Sequence, residues 1–225
     1  MEGGAWRSPS SRGSSMAVRV GAEPWEPSLL AIKLQRRPTL DTMNESAAVL
    51  HQAAQQTDVL PADLVTALQA TEKGHRDGYE LQDLVGTWRL HFITGTKKTR
   101  KKAGVALGAG RYIPKLFKIQ LAYQADTADQ GEVQNSVSLG ALHMCLTGPV
   151  KFWPKAKCLA FDFTQVRISL GALTVYQGRI KPASADQDFY GQPLKEQAFF
   201  KYFWVTDQGI AARGRGGGLA LWYRV

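Results

Sequence analysis

Cysteine is scarce in this chain. Cys145 and Cys158 are the only two in 225 residues, far below the density of a disulfide-framed fold. They flank a turn between two strand-like runs, so a bridge between them is geometrically open, but buried free thiols are the commoner arrangement and a reducing compartment fits best. The four histidines, His51, His75, His91 and His143, show no ligand spacing with the cysteines. Neither a Cys-x-x-Cys nor a His-Glu-x-x-His pattern occurs, so no metal is expected. No apolar run approaches the ~18 residues that a membrane-crossing helix needs, which leaves peripheral contact as the way to a bilayer.

Catalytic motifs are missing too. The glycine-rich stretches "GAGRYIP" and "GRGGG" lack the strand-turn-helix spacing of a dinucleotide or phosphate loop, and "GTKKTRKKAG" has no Gly-Lys-Ser/Thr ending. Ser136, Ser138 and His143 lie near Asp126 and Asp129 in sequence, and they read as strand and hairpin residues. The expectation is therefore a protein with no catalytic residue and no cofactor. Acid is the other shortage. Lys and Arg number 28 against 19 Asp and Glu, for a net charge of +9.

What is present divides into three parts. Residues 1–42 are rich in Ser, Gly, Pro and Arg without sustained apolar periodicity. They read as a disordered leader, either a transit peptide or an over-extended start with Met16 or Met43 as the true beginning. Residues 43–78 predict a helical hairpin: Asp41 or Asn44 as a cap, then Ala48, Leu50 and Ala54 at helical spacing. A second helix follows, with Pro61 in its first turn, Leu64, Val65 and Leu68 as a stripe, and Gly74 as its stop. This part carries a net charge of −4 over residues 43–80, against +11 over 81–225.

From Leu81 onward the pattern has period two, the mark of strands with one buried side. "GTWRLHFIT" sets Trp88, Leu90 and Phe92 against Arg89 and His91, "LFKIQLAYQ" sets Phe117, Ile119 and Leu121 against Lys118 and Gln120, and "KCLAFDFTQV" behaves alike. "AFFKYFWVT" is apolar on both sides apart from Lys201, as a strand covered on each face would be. So many antiparallel strands leave exposed edges unless the sheet closes. The predicted fold is mainly β: an antiparallel, lipocalin-like barrel with an N-terminal helical hairpin. Gly86 and Trp88 on the first strand resemble the end plug of such barrels, an indole packed under a guanidinium. Arg213 is the expected guanidinium and Arg224 the other candidate. Phe92, Phe161, Phe163, Phe203 and Trp204, with Trp222, could line an apolar cavity or fill it.

Two stretches carry a family resemblance. "LQDLVGTWRLHFITG", residues 81–95, resembles the opening of the plastid lipid-associated proteins, or fibrillins, in which a Leu-x-Gly-x-Trp-Arg-Leu strand follows a helical segment. "FFKYFWVTDQGIAARGRGGGLALW", residues 199–222, is similar to that family's closing stretch, with Asp207, Ile210, Arg213 and Gly214 in the matching places. Gln208 stands where an acid is usual, and Arg215, Gly216 and Gly217 replace an Asp or Asn with Lys. The resemblance spans roughly residues 45–225, strong at its ends and weak between. It implies a lipocalin-like barrel that binds or scaffolds apolar lipid or isoprenoid molecules, which with the missing catalytic motifs makes a non-enzymatic, lipid-associated protein the expectation. The location it implies is a photosynthetic membrane or plastoglobule, in a plastid such as the chloroplast or at a cyanobacterial thylakoid.

One further feature needs a purpose. Lys97, Lys98, Arg100, Lys101 and Lys102 place five cations in six residues directly after the first strand. Near an anionic bilayer each contributes about 1 kcal/mol of salt-sensitive attraction, so peripheral contact with an anionic membrane is expected there. The alternatives are a solvated loop whose charge serves solubility, and a basic β-barrel that binds nucleic acid or an acidic protein surface, although no nucleic-acid motif accompanies the charge.

Overall fold

The structure is a computed structural model that describes residues 40–55, 58–74, 78–95, 110–180 and 188–225. Helix α1 (Leu40–Gln55) and helix α2 (Pro61–Gly74) pack as a hairpin. Pro61 opens α2, where a missing N–H costs nothing, and Asp63 and Lys73 sit at the ends that the helix dipole favours. Because α1 already begins at Leu40, Asp41 and Asn44 lie within the helix and do not cap it. Leu50, Ala53, Ala54, Leu64, Val65 and Leu68 are buried, whereas Ala48 faces solvent. A single turn, α3 (Leu81–Leu84), then leads into the strands; its Glu80 and Asp83 form a reciprocal capping box.

Among the described residues eleven strands follow: β1 (Gly86–Ile93), β2 (Arg111–Tyr112), β3 (Phe117–Ala125), β4 (Gln130–Leu139), β5 (Leu142–Trp153), β6 (Cys158–Phe161), β7 (Gln165–Leu170), β8 (Leu173–Arg179), β9 (Ala198–Val205), β10 (Gly209–Gly214) and β11 (Leu219–Arg224). Eight of them, β1, β3, β4, β5, β6, β9, β10 and β11, each pair antiparallel with the next, and β11 closes on β1. The result is a closed eight-stranded meander barrel preceded by a helical hairpin, which leaves no edge within the ring. The base of the barrel is the end where β1 begins. The mouth is the opposite end, where the β4–β5, β7–β8 and β10–β11 turns lie.

The β7–β8 hairpin lies outside the ring. Strand β5 is long enough to pair with β6 through Val150–Trp153 and with β7 through Leu142–Thr147. Among the described residues strand β8 then pairs with β7 alone. The barrel wall is thereby extended at the mouth by two strands that, among the described residues, do not pair with β9.

Two register shifts decide what the helices rest on. A bulge in β1 between Leu90 and Phe92 turns Phe92 away from the barrel axis, and a shift between Ala211 and Ala212 does the same for Trp204 opposite. Phe92, Phe203, Trp204, Ala211 and Leu221 thus join Leu50, Leu64 and Leu68 in a core between the helical hairpin and the outside of the barrel. His51 meets Trp204 edge-on at 4.9 Å, and the guanidinium of Arg213 forms an ion pair with Glu72 of α2.

Candidate functional site

The interior of the barrel is filled at the base and hollow toward the mouth. At the base, Trp88 is fully buried and its Nε1 donates to Leu84 O at 2.7 Å. The Arg224 guanidinium lies 4.2 Å from the Trp88 ring centroid and donates to the carbonyls of Val85 and Asp207. Gly86, at φ +130, lies under that guanidinium, where a Cβ would collide with Arg224 Nη1. The end plug is therefore Gly86, Trp88 and Arg224. The expectation for Arg213 is corrected: its side chain leaves the barrel outward, drawn to the Glu72 carboxylate, which holds its pKa above the usual arginine value.

Above the plug, Tyr123 and Tyr202 share a hydrogen bond of 2.8 Å between buried hydroxyls, and Tyr79 Oη donates to Lys157 O at 2.7 Å. Burial pushes all three phenols well above their ordinary range, so they stay protonated. They form a polar floor that is satisfied within the protein.

Over this floor lies a cavity of about 140 Å³. Phe161, Phe163, Phe200 and Trp222 line one side, and Leu90, Ile119, Leu121 and Val133 the other. Phe161 stacks on Phe200 at 5.0 Å and tilts against Phe163 at 5.4 Å. Two polar residues join this apolar lining, Tyr123 from the floor, with its hydroxyl already bonded to Tyr202, and Asn135. Its Oδ1 is buried without a hydrogen-bond partner, an arrangement that costs about 1–3 kcal/mol until a donor meets it.

The sheet that continues from the cavity is apolar on the same face. Register sets Ile119, Val137, Met144, Ile168 and Tyr176 in one row, and Leu121, Asn135, Leu146 and Val166 in the row below. On the opposite face the neighbouring rows read Lys118, Ser138, His143, Ser169 and Thr174, then Gln120, Ser136, Cys145, Arg167 and Gln177. Exposure of the apolar face increases away from the ring, until Tyr176 on β8 is 52% exposed. The cavity therefore opens onto an apolar wall, and the two form one continuous surface.

The structure separates the aromatic residues expected to line a cavity. Phe161 and Phe163 line it, as does Trp222. Phe92, Phe203 and Trp204 do not: all three face the helices. Phe203 does so by plain alternation with the inward Tyr202, and the other two because of the bulges. Ile119 and Leu121 line it from the apolar side that alternation in "LFKIQLAYQ" assigns them, while Asn135 and Phe200 are additions, on the faces that alternation from Val133 and Tyr202 gives. Lys97, Lys98, Arg100, Lys101 and Lys102 lie outside the described residues, as does the expected leader up to residue 39.

Other chemistry is sparse among the described residues. Cys145 and Cys158 are free thiols, and burial pushes both up from the usual thiol value. Ser138 Oγ and His143 Nδ1 are 2.8 Å apart across the β4–β5 hairpin, with Asp126 and Asp129 at the hairpin's other end. No group of three His, Cys, Asp or Glu among the described residues could hold a metal ion. No described helix is long and apolar enough to cross a membrane. A wider depression of about 1100 Å³ outside the barrel, between α1 and β1, mixes Arg89, Lys115 and Lys118 with Asp58 and Asp207, which selects no single class of ligand.

No family model matches the chain, and no curated protein matches it. Three solved structures resemble it over 64% of its length. A lipocalin-like protein from Bacteroides uniformis is 12% identical with a TM-score of 0.34, covering 99% of that protein. A redesigned β-barrel, mFAP1, bound to DFHBI is 10% identical with a TM-score of 0.29, covering 97% of that chain. A second redesigned barrel is 10% identical at 0.30, covering 93% of it. At such scores the likeness carries no weight on function, and the fold assignment stands on the closed strand order.

Proposed function

We propose that this chain is a non-enzymatic binder of apolar lipid or isoprenoid molecules that carry one hydrogen-bonding group. The observation that carries this reading is the continuity of the inner cavity with the exposed apolar wall. A cavity of about 140 Å³ holds a ring or the end of a chain, well below the ~300 Å³ where sites for drug-sized ligands begin. A longer molecule would place its head among Phe161, Phe163 and Trp222 and lay its remaining length along Ile168 and Tyr176 on the wall. Asn135 supplies the polar partner, since a ligand hydroxyl or N–H would satisfy the buried Oδ1. The wider setting rests on the fibrillin-like stretches at residues 81–95 and 199–222. They favour a photosynthetic membrane or plastoglobule-like droplet, in a plastid or at a cyanobacterial thylakoid.

The test is direct. Native mass spectrometry of the purified protein, with extraction and identification of co-purifying lipid, should find an apolar ligand with one polar head. Ile119→Trp should fill the cavity and weaken binding of a prenyl alcohol about tenfold or more without unfolding the protein. Asn135→Leu should weaken the alcohol while leaving the matching hydrocarbon bound as before. If both variants bind like the wild type, the cavity is not the ligand site.

A further inference from the structure

The pentapeptide Ser-Leu-Gly-Ala-Leu occurs twice, at residues 138–142 and 169–173. Each copy forms a two-residue hairpin turn, with Gly140 at φ +57 and Gly171 at φ +56, while the alanine that follows keeps a negative φ. That is the type II′ signature, whose twist matches the flanking strands and fixes their register. Pairing then aligns the two copies. Phe117 faces Leu139, Leu139 faces Leu142, Leu142 faces Leu170, and Leu170 faces Leu173. The rim of the mouth is a single apolar row across five strands, with Leu142, Leu170 and Leu173 exposed by 47, 55 and 66% and Leu116 beside it by 67%.

Charge behind this row has one sign. Over the mouth halves of these strands, residues 117–121, 135–139, 142–147, 166–170 and 173–177, the only charged side chains are Lys118 and Arg167, and Lys115 precedes β3. Lys118 and Arg167 lie on the face opposite the leucines, by alternation. Apolar tips backed by cations, with no acid between, are suited to an anionic lipid surface: tips enter the acyl region and cations stay among headgroups.

We infer that the twin Ser-Leu-Gly-Ala-Leu tips form the edge by which this protein docks on an anionic lipid surface. A second copy is a poorer occupant, because joining two such rims would crowd Lys115, Lys118 and Arg167 of both chains around one seam with no acid on either side to balance them. The inference deepens the lipid-binding reading and rests on it. Docked by this rim, the wall faces lipid, so an apolar molecule reaches the cavity without crossing water.

Flotation of the full chain with phosphatidylglycerol-rich vesicles tests this. Wild type should bind them, bind pure phosphatidylcholine vesicles more weakly, and keep part of its binding at high salt. The triple variant Leu142→Gln, Leu170→Gln, Leu173→Gln should bind about tenfold or more weakly while still binding a soluble prenyl alcohol in the cavity. Ser169→Gln with Thr174→Gln, at the same turn on the opposite face, should bind like wild type. Leu170→Trp should show added fluorescence that brominated lipid quenches, a readout that survives if the triple variant misfolds. Wild type that ignores vesicles, a triple variant that binds them normally, an introduced indole that brominated lipid leaves unquenched, or a dimer that only the triple variant disrupts would each overturn the inference. Loss of alcohol binding with vesicle docking intact would count against the cavity and not against the rim.

Discussion

Trp88 concentrates more of the architecture than any other side chain. It is fully buried, donates to Leu84 O, and carries the Arg224 guanidinium on its ring. Trp88→Ala should cost about 3–5 kcal/mol in urea unfolding, the usual price of a buried indole. Arg224→Gln should cost less, since that guanidinium is partly in water. The Tyr123–Tyr202 pair makes a different prediction. Tyr123→Phe strands the Tyr202 hydroxyl and should cost about 1–3 kcal/mol, whereas Tyr123→Phe with Tyr202→Phe should cost less than the two single changes added together, in a double-mutant cycle. Alkaline titration reads the same groups. Burial raises their pKa above the ordinary 10, so above pH 10 the unfolded chain releases protons that the folded one retains. Stability is therefore full below pH 10 and falls as pH rises beyond it. The double Phe variant should show a shallower fall in melting temperature, the remainder being shared by Tyr79, the less buried Tyr112 and Tyr190, and the two thiols.

Elements divide the labour between the two ends of the barrel. At the base, α3 and the Trp88 plug close the interior; at the mouth, the β7–β8 hairpin leaves an apolar wall open. Both anchors of the connection that carries the basic run, Ile93 of β1 and Arg111 of β2, pair with each other at the mouth end. Replacing Lys97, Lys98, Arg100, Lys101 and Lys102 by Gln should weaken binding to anionic liposomes and flatten its salt dependence. The melting temperature should hardly move, because exposed charges contribute little to folding. Parallel titration with oligonucleotides decides the alternative: wild-type binding to oligonucleotides and not to liposomes would assign the run to nucleic acid.

For the whole molecule, the helical hairpin is a lid on the barrel's outside and not an appendage. Phe92, Phe203, Trp204 and Leu221 would meet water without it, so a chain beginning at residue 79 should be insoluble or bind a hydrophobic dye strongly in solution. Which parts of this were readable in advance follows from the range of the forces involved. Alternation in "LFKIQLAYQ", turn residues between the runs, and Pro61 and Gly74 at the ends of α2 are local, and they suffice for strands, a helical hairpin and the economy of closure. Which guanidinium covers Trp88 was open, because Arg213 and Arg224 lie on adjacent strands and only the ring closure of β11 on β1 brings Arg224 there. The sides taken by Phe92 and Trp204 depend on bulges, each a one-residue shift that reverses a face and leaves no mark in composition. The apolar wall is the clearest case: its residues are spread over five strands, and pairing across the sheet, a long-range matter, joins them into one surface.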